Sequence, residues 1–157
     1  MEAKDWILLV VPIISNGIFV FIFQKIIIVK IEKINQRNAI KNDVYKNFWY
    51  KLRELNESFI QANINTQKEP WTIKENLENI KEKILETVKY YDCNEFDLRF
   101  LEKLVKKMTK NWDEFQNIYN MYLRTEANFI KVQELGKKLQ LVKECVQEMI
   151  KKLRKKY

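Results

Sequence analysis

Residues 6–23 read WILLVVPIISNGIFVFIF, a run without one charged side chain. About 20 such residues are what a helix needs to cross the hydrocarbon core of a bilayer. Past Gln24 and Lys25 the apolar character resumes with IIIV over residues 26–29. The pattern therefore predicts a transmembrane helix over residues 1–29, long enough to tilt, with Lys25 snorkelling toward the headgroups. A secretory signal would open on basic residues and close on a small-residue cleavage site. Here the opening is Met-Glu-Ala-Lys-Asp and no A-x-A-like site follows, so the helix is expected to be retained.

Further on, the pattern changes to helical amphipathicity. Val44, Phe48, Leu52, Leu55 and Phe59 recur at spacings of three and four, flanked by Tyr45 and Trp49. They predict a helical face that reaches Ala62, then a loop over residues 63–71 that Pro70 stops. Thr72-x-x-Glu75 has the form of a capping box. Ile73, Leu77, Ile80, Ile84, Val88 and Tyr91 form the next stripe. Asp92-Cys93-Asn94 breaks it, and Asn94 or Asp92 can cap the helix that carries Leu98, Leu101, Leu104 or Val105, and Met108. A restart is predicted at Asn111, where Asp113 and Glu114 would complement the helix dipole.

The last stripe is the most regular. Val132, Leu135, Leu139, Val142, Val146, Met149 and Leu153 alternate spacings of three and four, in the manner of a coiled-coil seam. Extended backward, the register passes Asn128, Thr125, Met121 and Ile118. Such a seam can face its own bundle, or it can join subunits or bind a partner with Asn128 setting register. Gly136 lies beside it, at a cost of about 1 kcal/mol relative to Ala, and marks either a close helix approach or a kink. The fold class expected is all-α. An N-terminal transmembrane helix (1–29) leads into a cytoplasmic domain (30–157) of about four helices, the last of them coiled-coil-like.

Composition agrees with helices. Gly17, Gly136, Pro12 and Pro70 are the only glycines and prolines, so hairpins and phosphate-cradling loops have almost no material. The net charge is +8, and residues 25–157 hold 28 basic against 19 acidic side chains, a surplus of nine. The apolar run is preceded by Lys4 alone, beside Glu2 and Asp5, and followed by Lys25, Lys30, Lys33, Arg37 and Lys41. The positive-inside rule then places the N-terminus outside a prokaryotic inner membrane and the remainder in the cytoplasm. In that reducing compartment Cys93 and Cys145 need not pair. The bilayer, with its anionic headgroups, is the first partner this charge implies.

Reaction chemistry is sparse. The chain has no histidine, which removes Ser-His and Cys-His pairs and most zinc sites. Carboxylates at helical spacing, such as Glu75 with Glu78 and Glu78 with Glu82, alternate with Lys74 and Lys81 and read as surface ion pairs. Tyr90-Tyr91 and Tyr119-x-x-Tyr122 read as core-edge packing. No catalytic residue, cofactor or metal site is expected, and no enzyme. The stretch YKNFWYK over residues 45–51 mixes rings with lysines as single-strand binders do. Phe48 nevertheless belongs to the core stripe, which disfavours nucleic acid. KKLRKKY, at residues 151–157, reads as a solvated helix end or as a patch for the inner leaflet.

Polarity within the anchor is the less ordinary feature. Asn16, Val20 and Gln24 fall on one face at i, i+4 and i+8, and Ser15 and Gly17 lie beside them. Polar side chains in hydrocarbon seek partners on other helices, at about 0.6–2 kcal/mol each. In a single-pass chain those partners belong to other copies, so a homo-oligomer is expected, and a closed ring can enclose a pore. Phe19 and Phe23, with Phe21, would face lipid or form a hydrophobic constriction.

An anchor with lysines at its exit, followed by VYKNFWYKLRELNESF within residues 23–62, resembles the accessory membrane protein of type VI-B CRISPR systems among small antiphage membrane proteins. That family is associated with a divergent HEPN-type nuclease fold, whose signature is an Arg followed some four residues later by His. Here Arg37-Asn38 opens such a motif, but Asn42 stands where His would, so RNA cleavage is not implied. The resemblance implies an oligomeric membrane effector, a pore that permeabilises or depolarises the infected cell. The alternative is a membrane-tethered scaffold or adaptor that binds a protein partner of the defence system through the 132–153 seam.

Overall fold

A computed structural model describes residues 3–65, 72–124 and 129–156, with side chains over 19–62, 74–121 and 133–156. The described residues are helical and contain no strand. Four long helices, α1 (Ala3–Asn65), α2 (Thr72–Cys93), α4 (Glu102–Arg124) and α5 (Phe129–Arg154), are joined by short pieces. Between α2 and α4 lie α3, a single turn (Glu95–Leu98), and a 3-10 turn (Arg99–Leu101). The chain divides into two compact units, Met1–Lys41 and Asn42–Tyr157.

Among the described residues, the first unit is the N-terminal part of α1. All its described side chains, residues 19–41, are exposed. Among the described residues no helix is long and apolar enough to cross a membrane. Most of the uncharged run, through Ile18, lies outside the described side chains, and so does Asn16.

The second unit holds one hydrophobic core. Amphipathicity in α1 starts where this unit starts: Val44, Tyr45, Phe48, Leu52, Leu55, Phe59 and Ala62 are buried. α2 runs antiparallel to this part of α1. Going up one helix and down the other, Ser58 meets Asn79 at 3.5 Å, Glu54 meets Lys83 at 3.5 Å and Lys51 meets Glu86 at 3.9 Å. The Tyr90 hydroxyl then reaches the Val44 carbonyl at 3.5 Å. Ile80, Ile84 and Tyr91 supply the inward face of α2, with Leu77 and Val88 half-buried. The side chains of Thr72 and Ile73 lie outside the described residues, as do the capping box and Pro70.

The turn from α2 to α4 is made without glycine. Asn94, expected as a cap, leaves α3 without a side-chain cap. Its amide nitrogen instead donates to the Tyr90 carbonyl at 2.9 Å and closes the end of α2. A donor aimed back at α2 satisfies carbonyls that a helix end leaves free, which is why the cap role is lost. Leu98 and Leu101, fully buried, pin the corner to the core. The restart predicted at Asn111 is absent, because α4 passes through it and the buried Asn111 side chain donates to the Lys107 carbonyl at 2.8 Å. A polar side chain that bonds its own preceding turn need not end the helix.

α4 and α5 pack along each other. Val105, Met108, Trp112 and Phe115 of α4 and Val142, Cys145, Val146, Met149 and Leu153 of α5 are buried in the same core. The rings of Trp112, Phe115 and Tyr119 stack in a row at 5.2 and 6.1 Å.

Candidate functional site

Of the residues expected on a transmembrane oligomer face, Phe19, Val20, Phe23 and Gln24 have described side chains and Asn16 lies outside them. Phe19, Val20 and Phe23 are exposed, Phe19 at 73%, and Gln24 is exposed beside them. The exposed apolar residues surround the helix instead of lining one face. Phe19, Val20, Phe21, Ile22 and Phe23 are consecutive, and five residues exceed one turn of about 3.6. Ile26, Ile27, Ile28 and Val29 repeat this one turn later. Lys25 interrupts the sheath, its ammonium 5.8 Å from the Phe21 ring centre. Lys30 and Lys33 follow, both exposed.

The seam proposed for α5 has a different location. Val142, Val146, Met149 and Leu153 are buried within the chain's own core, with Leu135 and Leu139 packed against it half-buried. Val132 and Asn128 lie outside the described side chains. The regular spacing therefore describes the inward face of a bundle helix, at least from Leu135 onward. Gly136 has no neighbour that would touch an added Cβ within 4 Å, so close helix approach does not account for it.

The structure instead brings together two segments that the sequence offered separately. Tyr45, Lys46, Trp49 and Tyr50 of α1 line a cleft with Leu153 and Arg154 of α5. Its volume is about 260 Å³. Tyr45 is held from behind by Phe100 of the 3-10 turn, edge-on at 5.7 Å. Trp49 meets Tyr50 edge-on at 5.1 Å, and the Arg53 guanidinium covers the Trp49 ring at 5.5 Å. The Lys156 ammonium stands 5.8 Å from the Phe100 ring, so the basic end of α5 wraps the same pole of the bundle. Among the described residues the cleft lining contains two cations and no acid. Among the described residues neither Lys46 nor Arg154 has an ion-pair partner, although eight other pairs stud the bundle.

Periodicity cannot reveal this cleft, because it arises from two helices far apart in sequence. The usable signal was the pair Tyr45 and Trp49, large amphipathic rings beside the predicted stripe, of which Tyr45 is buried and Trp49 half-buried. The same burial weakens the case for nucleic acid. Phe48 is 0% exposed and Tyr45 5% exposed, which leaves Trp49 and Tyr50 of the four rings with a face for a base, too few for a stacking platform.

Other reactive groups are dispersed. Cys93 is exposed and Cys145 buried, both unpaired, and burial pushes the Cys145 thiol upward. Tyr91 is buried with its hydroxyl unpartnered, and burial, followed by Glu102, raises it. Among the described residues no group of three or more His, Cys, Asp or Glu could hold a metal ion. Arg37 and Asn42, the two positions of the motif weighed for a nuclease, are exposed on α1. No family model, curated protein or solved structure matches the chain.

Proposed function

We propose that this protein is a single-pass membrane protein whose anchor assembles copies of the chain in the bilayer, with the helical bundle held at the cytoplasmic surface. The observation that carries the reading is the apolar sheath of residues 19–29, exposed on every side of α1. A helix apolar all round needs lipid or other helices around it. Soluble monomers seldom leave contiguous patches of this kind in water. In the sequence, residues 6–18 before it are uncharged too, which brings the apolar run to spanning length.

Assembly follows from Asn16 and Gln24. In one helix surrounded by lipid their amides find no partner, and copies of the same helix supply one. A closed ring with Asn16, Val20 and Gln24 toward its axis, and Phe19 and Phe23 at a constriction, permeabilises the membrane. The antiviral setting rests on the resemblance to the CRISPR accessory protein alone. An adaptor that works through the α5 seam is less well supported, because Val142, Val146, Met149 and Leu153 already serve the core. The test is dye efflux from vesicles containing the full-length chain, compared with Asn16→Leu/Gln24→Leu. Efflux that the double variant sharply reduces supports the pore. Absence of efflux, or equal efflux from both proteins, contradicts it.

A further inference from the structure

We infer that the cleft of Tyr45, Lys46, Trp49, Tyr50, Leu153 and Arg154 holds the headgroup phosphate of an anionic phospholipid. The inference rests on the membrane reading above for its source of ligand, and on the cleft itself for its chemistry. Lys46 and Arg154 come from different helices and are exposed at one lined hollow, without an acidic residue in the lining. Both line this hollow without a counter-ion among the described residues, so an anion is the ligand that the lining suits. Arg suits phosphate through its planar fork of donors, and Lys as a compact point charge.

The rest of the lining selects a lipid over a free anion. Leu153 and the rings of Tyr45, Trp49 and Tyr50 give the cleft an apolar floor and walls, suited to a glycerol backbone and the first acyl carbons. Trp and Tyr are the residues that settle at headgroup level, having an apolar body and a polar tip. Size agrees. About 260 Å³ is far more than the ~30 Å³ share of one water and somewhat below the ~300 Å³ where drug-sized pockets begin. That volume suits a headgroup and not a stretch of polymer. Lys155 and Lys156, exposed next to Arg154, extend the positive field around the opening.

The cleft also lies at the pole where α1 enters the second unit, since Tyr45 and Lys46 fall in the first turn or so after Asn42. The sequence offered an aromatic-lysine segment for nucleic acid and a basic end for the leaflet, and their meeting favours the second chemistry for both.

The test is native mass spectrometry of the full-length chain in detergent with phosphatidylglycerol or phosphatidylcholine added. Phosphatidylglycerol should be retained in preference. A basic residue near an anionic surface contributes about a fivefold effect, so Lys46→Gln/Arg154→Gln should weaken retention about 25-fold. Lys74→Gln/Lys137→Gln removes the same charge from exposed sites elsewhere and should change it little. Equal loss in the two double variants would overturn the site, because general charge would then explain retention. Equal affinity for soluble glycerol phosphate, or displacement of the lipid by a short RNA at comparable concentration, would overturn the lipid as occupant. Extraction of the chain from native membranes by alkaline carbonate tests the anchor separately. Release there would remove the membrane reading, while retention in detergent still reports on the cleft.

Discussion

The Lys138 ammonium donates to the Glu114 carboxylate and ties α5 to α4 across the face of the hairpin. Lys110, one turn before Glu114, adds a second positive charge at 4.0 Å. The hydrogen bond from Lys138 holds the Glu114 carboxyl below its ordinary value of 4.5. A carboxylate depressed in the fold contributes stability above its unfolded value and loses it as pH falls through the folded one. Glu114→Gln should therefore melt below the parent at neutral pH, and the gap should close as pH falls below the ordinary carboxylate range. Circular dichroism melts across that range decide it. A gap that stays constant into strong acid would show that the ion pair is not its source.

The α5 stripe makes a sharper test, since it was legible as a seam but not as whose. Met149 and Val146 are fully buried within the bundle. Met149→Ala should cost about 2–5 kcal/mol of fold stability. A subunit seam would make that loss depend on protein concentration, whereas a core position makes it independent. Denaturant melts at two widely separated concentrations distinguish them.

Gly136→Ala should stabilise the protein, by about 0.4–1 kcal/mol. An added Cβ would meet nothing within 4 Å, and no glycine among the described residues adopts positive φ. The substitution would then remove only backbone freedom in the unfolded chain. A urea midpoint that moves downward would show that Gly136 has a role in a contact made outside the bundle.

The two cysteines should differ completely in reactivity. Cys93 is exposed, while Cys145 is buried and its thiol is raised by that burial. Thiolate is the reactive form, so raising the thiol slows attack as well as blocking access. One thiol per native chain should react promptly with a maleimide, and a second only after denaturation. Rapid labelling of both in the native protein would mean that the α4–α5 hairpin opens readily.

What the sequence made legible was much of the core, though Trp112, Phe115 and Cys145 are buried outside the marked stripes. Most described residues marked on α1, α2, α4 and α5 by three-and-four spacing are in the core or packed against it, because burial of one helix face enforces that period. What it left obscure depended on which helices meet. Asn94 and Asn111 looked like helix starts, since both residues cap well in isolation. Each side chain instead bonds a carbonyl four residues back, a choice set by the corner and the core around it. Lys46 belonged to a stretch weighed for nucleic acid and Arg154 to a basic helix end, and only the fold brings them to one cleft.

The central claim is that α1 assembles copies of this chain within a membrane. Mass photometry of the full-length protein, excised from native membranes in polymer-bounded discs, tests it most directly. The account predicts a discrete oligomer whose mass falls when Asn16 and Gln24 are both replaced by Leu. A strict monomer in those discs, or a protein that never enters them, would contradict it.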